Sequence, residues 1–322
     1  MRKHWLKEPP VLESNDIYRV GLILTEQCNI ACRHCWFASQ PDKTARMSLD
    51  EALGYVAQAG EIPTLKWLSI SGGEPFLFPE MLSQIISFAS KIGLHTECVT
   101  NCFWAKSEED AFKTLQVFKD AGLEVINLSA DDFHQEHLPF AYVHNCYRAS
   151  RRLGLKPVIM CTAGRSSRLT LDRVVGFLGD EGIRILGSGV PEARPVTALA
   201  IQSGFLPLGR AASIPKDELL IGENPLEGPC RTVLRDVSIS PSGTVFPCCS
   251  AGGLVKGVEI GNARQAKLGD IVDRARSNII FKTLMTEGPE GLRRRYAVPC
   301  RENGYVNKCH LCYEVLREVM QR

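Results

Sequence analysis

Three closely spaced cysteines are the first candidates for chemistry in this sequence. Cys28, Cys32 and Cys35 have the spacing CxxxCxxC. Three thiolates suit three irons of a [4Fe-4S] cluster and leave the fourth iron open to another ligand. A structural zinc site, in which His34 would be the fourth ligand, is the alternative interpretation of this spacing.

A second short motif, Ser-Gly-Gly-Glu-Pro, contains Gly72, Gly73 and Glu74. Glycines permit a close approach of the backbone to a ligand, and a carboxylate attracts a cation. On its own the motif predicts an ordinary turn. Because it follows the cysteine motif by one predicted βα unit, it indicates a ligand site beside the metal centre.

The elements that position these motifs follow a βα pattern. Short β-rich runs alternate with helical patterns, which is typical of βα units around a parallel sheet. The predicted strands are Tyr18–Thr25, Lys66–Ile70, His95–Thr100, Glu124–Ser129, Lys156–Thr162 and Arg184–Leu186, with Ala198–Leu206 as a further candidate. Six such units favour a partial (β/α)6 barrel of the TIM type over an open doubly wound sheet. Ser48 with Glu51, and Ser107 with Asp110, predict two helix starts.

The composition changes in the C-terminal third, which is rich in Gly, Pro and Cys. We predict an N-terminal extension over residues 1–17, an α/β barrel core over 18–212 and a small cysteine-rich domain over 213–322. Within the last of these, we expect a hairpin through Val237–Pro247 and a final helix that begins near Tyr313.

Charge and hydropathy exclude several classes of function. The chain has 38 Lys plus Arg against 36 Asp plus Glu, so no field of one sign would attract nucleic acid or an anionic membrane. No signal peptide and no apolar run long enough for a membrane span is visible, which predicts a cytoplasmic protein. Since the cytosol keeps thiols reduced, the 13 cysteines favour metal ligation over a disulfide framework.

The two motifs together resemble the radical SAM enzymes, whose core is a partial (β/α)6 barrel. The resemblance implies that Cys28, Cys32 and Cys35 hold a [4Fe-4S] cluster. It also implies that the open iron binds S-adenosylmethionine, which is cleaved by reduction to a 5′-deoxyadenosyl radical that abstracts hydrogen from a substrate. An external electron donor such as flavodoxin or ferredoxin is then expected.

Further residues at strand ends are expected to face the same mouth of the barrel. By the resemblance, Gly72–Glu74 would hold the methionyl ammonium, while Ser129 and Asp131 would bind the ribose. Asn101 follows the third strand, where the family often has Thr-Asn-Gly, and Cys102 departs from that pattern. An ordinary turn with a helix cap is the alternative for Ser129 and Asp131.

The C-terminal cysteines carry a second resemblance. Cys230, Gly243 and Cys248 resemble the opening of SPASM and shortened twitch domains, which hold auxiliary iron–sulfur clusters. With the late CxxC pair, Cys309 and Cys312, they would supply four thiolates. Four thiolates close one auxiliary [4Fe-4S] cluster without an open iron.

Cys249 and Cys300 are left over from this set. The side chains of adjacent residues tend to point apart, so Cys249 is expected to be a free thiol next to the cluster that Cys248 ligates. It would be a buried structural cysteine, an alternative ligand, or a hydrogen-atom donor whose weak S–H bond a carbon radical can break. Cys300 leaves a second auxiliary cluster open.

A more specific resemblance covers most of the chain. The segments Phe103-Trp104, Ser129–His134 and Pro247–Ser250 and the late CxxC follow the same order as in epipeptide-type radical SAM peptide epimerases. This implies that Cys249 quenches a Cα radical and converts an L-residue to a D-residue in a ribosomally made peptide. Arg210 lies in a segment that resembles one of peptide-modifying members, where it would meet the S-adenosylmethionine carboxylate or the substrate; a surface salt bridge is the alternative.

Other reactions are compatible with the same machinery. Peptide crosslinking through a thioether or carbon–carbon bond, oxidation, and maturation of a protein or cofactor precursor are the alternatives. An electron carrier without enzymatic activity is disfavoured, because such carriers are short and give every iron a thiolate. With no evident recognition domain ahead of the first strand, leader-peptide binding is expected on the barrel or on a separate partner protein.

Overall fold

The computed structural model describes residues 16–187, 195–222 and 225–322. Residues 1–15 of the predicted N-terminal extension lie outside the described residues. The strands are β1 (Arg19–Thr25), β2 (Trp67–Gly72), β3 (His95–Thr100), β4 (Val125–Ser129), β5 (Lys156–Ala163), β6 (Ile183–Ile185), β7 (Ala198–Gly204), β8 (Asp236–Ile239), β9 (Thr244–Phe246) and β10 (Gly261–Asn262). The helices are α1 (Leu49–Gly60), α2 (Pro79–Lys91), α3 (Glu108–Ala121), α4 (Asp132–Gln135), α5 (Phe140–Arg152), α6 (Leu171–Leu178), α7 (Leu268–Arg276), α8 (Ile279–Thr286), α9 (Gly288–Arg295) and α10 (Lys308–Met320).

The sheet has the topology of a partial barrel. Its strand order is β10-β9-β8-β1-β2-β3-β4-β5-β7-β6, and the pairs from β1 through β5 to β7 are all parallel. These strands lie in chain order, whereas a doubly wound sheet reverses its order at a central switch point. The predicted barrel is therefore confirmed over the doubly wound alternative.

The sixth place in the barrel belongs to β7. This strand pairs with β5 through six residues of each strand, and β6 lies outside it at the edge of the sheet. The β-rich pattern predicts Arg184–Leu186 as the sixth strand and Ala198–Leu206 only as a further candidate, and the structure reverses these two places. Only three residues form β6, all of them half-buried, whereas β7 buries Ala198 and Ala200 completely, which explains the order.

The two faces of β1 lie in different environments. Val20, Leu22 and Leu24 are fully buried in the core that the barrel shares with its helices. Because successive side chains of a strand alternate, Arg19 and Gly21 face the lumen of the barrel instead. The ion pair between Arg19 Nη1 and Glu97 Oε1, 3.1 Å long, joins β1 to β3 on this lumen face.

The C-terminal domain is joined to the barrel through the sheet. β8 pairs in parallel with β1, with Arg19 opposite Asp236, and then forms the predicted antiparallel hairpin with β9. The domain therefore extends the barrel wall beside the strand that leads into the first cysteine motif.

The helix starts follow their caps. Ser48 and Glu51 form the predicted capping box, and Ser107 accepts the Asp110 N–H. α10 begins earlier than the predicted Tyr313, because the Asn307 side chain accepts the His310 N–H and caps it. In the described part of the chain, no helix combines the length and the apolar character that spanning a membrane requires.

Candidate functional site

The first three cysteines lie on the loop that follows β1, at the carboxyl end of the barrel strands. Cys28 and Cys32 are buried and Cys35 is half-buried, and all three line a cavity of about 230 Å³. Burial, together with the neighbouring Glu74 and Cys35, raises the pKa of Cys28 to about 11. Burial likewise raises the pKa of Cys32. The Cys28 and Cys32 thiols are therefore protonated until a metal displaces their protons.

Arg210 braces this cysteine loop. Its Nε donates to the Cys32 carbonyl oxygen at 2.9 Å, and its Nη2 donates to the Ser39 carbonyl oxygen at 2.6 Å. Its backbone N–H donates to the Cys35 carbonyl oxygen at 3.1 Å. Arg210 also lines the cavity, so the predicted contact with a carboxylate remains a prediction, but the alternative of a surface salt bridge does not describe its contacts.

Gly72 and Gly73 allow the end of β2 to lie against the cysteine loop. Gly72 has a φ of 140°, and a Cβ on Gly73 would collide with the carbonyl group of Gln27. Two hydrogen bonds hold the two segments together. The Gly73 N–H donates to the Thr25 carbonyl oxygen at 2.6 Å, and the Glu74 N–H donates to the Gln27 carbonyl oxygen at 2.9 Å. The glycine pair thus shapes the floor of the cavity.

Glu74 joins the second strand end to the third. Its carboxylate is buried and accepts hydrogen bonds from the Thr100 hydroxyl at 2.9 Å, the Asn101 N–H at 2.8 Å and the Phe76 N–H at 3.1 Å. Burial raises the pKa of Glu74 to about 7. The carboxylate therefore lies in the cavity wall, and its three hydrogen-bond donors fix its position. From that position it could also contact a cation in the cavity.

Asn101 is directed at the cysteine loop as well. Its Nδ2 lies 2.9 Å from Asn29 Oδ1 and 3.7 Å from Cys28 Sγ. The next residue, Cys102, has a φ of 66°, in the left-handed region that favours glycine. This explains why the family pattern has Gly there, and the fully buried Cys102 side chain lies beside Cys146 instead of in the cavity.

Ser129 and Asp131 bring the fourth strand end to the same cavity. Asp131 is buried and accepts hydrogen bonds from His134 Nδ1 at 2.8 Å and from the Thr162 N–H at 3.2 Å. Asp131 also caps α4. It therefore has the helix-cap role that was the alternative prediction, and it also lies in the cavity wall.

Two histidines in the cavity wall were not predicted as contacts of the cofactor. His34 stacks on Phe133 with ring centroids 4.7 Å apart, and its buried Nδ1 has no hydrogen-bond partner among the described residues. His134 is held by Asp131, which raises its pKa although burial opposes this. His34 was visible in the sequence as a residue between two cysteines, but His134 carried no signal beyond its place in a resembling segment.

The spacing of the sulfur atoms separates an iron–sulfur cluster from zinc. Tetrahedral zinc with Zn–S bonds of about 2.3 Å holds its sulfurs about 3.8 Å apart. Among the described residues, no three cysteine sulfurs lie within 4.8 Å of one another. A group with that spacing contains Cys32, His34 and His134, but it offers one thiolate and two imidazoles, and His134 is already bound to Asp131. The three thiols around a cavity therefore fit the larger cluster.

The four C-terminal cysteines converge as the sequence predicted. Burial raises the pKa of Cys312, and the neighbouring Cys230, Cys248 and Cys309 raise it further, which requires all four to be close together. A Cβ on Gly252 would lie 3.0 Å from Cys312 Sγ, so glycine there leaves room for the sulfur and what it binds. The set offers four thiolates at a spacing wider than zinc needs, and it fits one auxiliary cluster.

Cys249 faces away from that set. Its Sγ donates to the Val237 carbonyl oxygen at 3.2 Å, and it lies so close to Gly21 that a Cβ there would be 3.0 Å away. Since Gly21 is on the lumen face of β1, the Cys249 thiol also lies on that face. Burial, and then the Asp236 carboxylate, raise the pKa of Cys249. Cys249 as a whole residue is nevertheless exposed to solvent.

Cys300 is apart from both groups. It is exposed in the segment between α9 and α10, where its neighbours are Arg293 and Tyr305. The thiols that raise the pKa of Cys312 are those of Cys230, Cys248 and Cys309, and Cys300 is not among them.

Family models match both halves of the chain. The model of the Radical SAM superfamily matches residues 22–161, which contain the first cysteine motif and β2 to β4. The model of the SPASM iron–sulfur cluster-binding domain matches residues 230–313, which contain all four auxiliary cysteines.

Several known proteins are similar over most of this chain. YydG of Bacillus subtilis (strain 168), a protein named for peptide biosynthesis, is 22% identical over 84% of this chain and 81% of its own length. The PqqA peptide cyclase of Xanthomonas oryzae pv. oryzae is 26% identical over 82% of this chain and 76% of its own. SuiB of Streptococcus suis, solved with S-adenosylmethionine bound, superposes with a TM-score of 0.57 at 12% identity, covering 84% of this chain and 68% of SuiB, and supports the fold.

Proposed function

Because this chain belongs to the radical SAM superfamily and carries a C-terminal SPASM domain, we propose that it epimerises a residue of a ribosomally made peptide, with Cys249 as the hydrogen-atom donor. The superfamily domain binds S-adenosylmethionine and a [4Fe-4S] cluster, and the SPASM domain binds an auxiliary cluster. Similarity to YydG, and to an enzyme named PqqA peptide cyclase, supports a peptide as the substrate. The position of Cys249 supports epimerisation.

The residues of the cavity have defined tasks in such a reaction. Cys28, Cys32 and Cys35 would ligate the cluster, and Glu74 would meet the ammonium group of the cofactor. When bound and reduced, the cofactor supplies a 5′-deoxyadenosyl radical that removes a hydrogen atom from the substrate. The cavity wall around Gly72 and Gly73 keeps the loop that carries these thiols against the barrel, so that the radical would form at the mouth of the lumen.

Cys249 would complete the reaction from the lumen side. Its S–H bond breaks and a new Cα–H bond forms on the face of the substrate opposite to the abstraction. The thiyl radical left on Cys249 then takes up one electron from the external donor and one proton, which regenerates the thiol. The raised pKa of Cys249 favours this role, because it keeps the sulfur protonated and able to give a hydrogen atom.

The location of the Cys249 sulfur is the observation that carries the proposal. The sulfur is next to a cluster ligand in sequence, yet it lies against Gly21 on the lumen face and bonds to Val237 instead of joining the four auxiliary thiols. A structural cysteine would need neither solvent access nor a lumen position. A crosslinking enzyme requires no donor thiol at this place.

The test is turnover in deuterated water with a candidate peptide, such as one encoded by a short open reading frame next to the gene for this chain. The wild-type enzyme should incorporate one carbon-bound deuterium into each modified residue, because the thiol exchanges its proton with solvent. The Cys249→Ala variant should lose that incorporation, while the matched Cys300→Ala variant, changed at an exposed cysteine apart from both clusters, should retain it. Loss of two hydrogens from the peptide, unaffected by Cys249→Ala, would instead establish crosslinking or oxidation.

A further inference from the structure

A second cavity lies on the rim of the barrel, beside the cavity of the first three cysteines. This rim cavity has a volume of about 530 Å³, which is in the range of ligand sites. Arg33, Gln135 and Glu136 line one side of it, and Ser166, Arg168 and Glu218 line the other. These residues come from the segments that follow β1, β4, β5 and β7, so the rim cavity opens at the same end of the barrel as the proposed radical chemistry.

Gln135 lines this cavity and carries an unpaired amide. Its Oε1 and its Nε2 are both buried, and neither has a hydrogen-bond partner among the described residues. A buried amide left without partners costs free energy, so a ligand that bonds to it gains affinity. The backbone of Gln135 is fixed by its N–H, which donates to the Asp131 carbonyl oxygen at 3.0 Å.

The acidic groups of the rim cavity already have partners. Glu136 pairs with Arg33, and Glu218 accepts from the Ser166 N–H and hydroxyl at 2.9 and 2.8 Å. Asp132 accepts the Leu169 N–H at 3.1 Å and so ties the loop after β5 to α4. What remains for a ligand is the Gln135 amide, which suits one acceptor and one donor side by side, together with the Arg168 guanidinium, which suits an acceptor such as a carbonyl oxygen.

A layer of aromatic rings separates the rim cavity from the cysteine cavity. Phe133 lies in the wall of the rim cavity and stacks on His34, which lines the cysteine cavity. Phe205 lines both cavities, and its ring centroid is 5.9 Å from that of Phe133. A ligand group in the rim cavity is therefore one side-chain layer away from the reacting centre.

We propose that the rim cavity binds the peptide backbone next to the residue that reacts, and that the Gln135 amide makes both of its hydrogen bonds to one residue of that backbone, to its N–H and its C=O. This rests on the proposed peptide substrate. In an extended chain the N–H and the C=O of one residue point to the same side, so the N–H can donate to Oε1 while the C=O accepts from Nε2. Because an extended chain advances about 3.3–3.6 Å per residue, a few residues suffice to cross the aromatic layer. Recognition of the backbone at this point would fix the register of the peptide without selecting its side chains.

The adenine edge of S-adenosylmethionine has the same pattern of donor and acceptor. Gln135 does not line the cysteine cavity, where the residues expected to bind this cofactor lie, which favours the peptide. The test must therefore measure the two ligands separately.

The experiment measures binding to the cluster-loaded enzyme under anaerobic conditions without reductant, so that no turnover occurs. The probes are capped pentaalanine, the same peptide with its central amides replaced by esters, and S-adenosylmethionine alone. The variants are Gln135→Met and a matched control, Gln116→Met, which removes an amide that bonds to Asp120 on the distant helix α3.

We expect Gln135→Met to bind capped pentaalanine roughly tenfold more weakly, as for two lost hydrogen bonds, and to bind S-adenosylmethionine as the wild type does. The wild type should prefer the amide peptide to its ester analogue, and Gln135→Met should lose that preference. Gln116→Met should behave as the wild type for all three probes, and unchanged cofactor binding also verifies that Gln135→Met is folded.

Three results would overturn the proposal. Gln135→Met could bind the cofactor more weakly and the peptide unchanged, which would assign the amide to adenine, or it could bind both ligands as the wild type does. The third such result is that the wild type shows no saturable binding of the capped peptide at millimolar concentration. The deuterium experiment fails independently. If the enzyme crosslinks peptides, deuterium incorporation is absent while the effect of Gln135→Met on binding remains.

Discussion

Gly21 of the barrel and Cys249 of the C-terminal domain meet on the lumen face of the sheet. A Cβ on Gly21 would lie 3.0 Å from Cys249 Sγ and 3.5 Å from the Ser238 Cβ. The contact follows from the pairing of β8 with β1, in which Gly21 stands opposite Ser238. A glycine in a strand interior often marks a close approach of another group, and here that group is the thiol.

The Gly21→Ala variant should therefore displace the thiol without removing it. The added methyl group forces Sγ to shift and so perturbs its 3.2 Å contact with the Val237 carbonyl oxygen. We expect deuterium incorporation to fall on the order of tenfold to a hundredfold, because small misplacements of a reacting group have effects of that size. Iron content should not change. Mass spectrometry and an iron assay measure the two quantities.

Gly54→Ala is the matched control for this change. Gly54 lies inside α1, and a Cβ there would meet nothing within 4 Å. This variant should keep full activity and be more stable by about 0.5–1 kcal/mol, since alanine is the better helix former. Full deuterium incorporation by Gly21→Ala would show that the position of Cys249 is not critical.

The auxiliary site should depend on Cys312 and not on Cys300. Cys312 is close to three other cysteine thiols, whereas Cys300 is exposed beside Arg293 and Tyr305. Cys312→Ser should therefore lose roughly half of the bound iron, as for one of two four-iron clusters, while Cys300→Ser retains all of it. Iron analysis and electron paramagnetic resonance of the reduced proteins measure this. Equal losses in both variants would make Cys300 a cluster ligand.

Local patterns predicted most of the barrel. β3 has the bounds expected from the sequence, and other strands differ by a residue or two, because each is a short β-rich run between turn signals. The order of β6 and β7 was not readable, since it depends on which strand buries more surface against β5. The start of α10 was missed because the cap, Asn307, lies two residues before a cysteine pair that the sequence indicated only as a ligand motif.

The parts of the candidate site that belong to short sequence motifs were predictable. The cysteines and the glycine pair have fixed spacings, so they could be located from the sequence alone. The lumen position of Cys249 depends on β8 pairing with β1, and the unpaired amide of Gln135 depends on loops that follow four different strands. Such long-range relationships leave no periodic signal in the chain. The ion pair between Asp131 and His134 is local in sequence, but its place in a cavity wall leaves no periodic signal either.

The backbone at Cys102 should prefer glycine to alanine. Its φ of 66° is in the left-handed region, where a Cβ costs free energy. Cys102→Gly and Cys102→Ala both remove the buried sulfur, so the comparison between them isolates the Cβ. The glycine variant should be the more stable by about 1 kcal/mol, contrary to the usual order of these residues. Thermal unfolding of the two variants at equal cluster content measures the difference, and a higher midpoint for Cys102→Ala would contradict it.

The buried carboxyl of Glu74 should make the free energy of unfolding depend on pH. Burial raises its pKa from 4.5 to about 7. Between these values the folded protein keeps a proton that the unfolded chain has lost, so this residue lowers the free energy of unfolding as the pH rises through that window. Above about pH 7 its unfavourable contribution is complete, at roughly 3 kcal/mol.

The Glu74→Gln variant removes this titration and isolates its effect. The amide accepts fewer of the hydrogen bonds from Thr100, Asn101 and Phe76, a loss that shifts stability by a constant amount at every pH. The difference in free energy of unfolding between the cluster-free variant and the cluster-free wild type should therefore move in favour of the variant from pH 4.5 to 7 and then level off. Denaturant titrations across this range measure it. Parallel stability curves for the two proteins would mean that Glu74 is ionised throughout, held so by its three donors despite its burial.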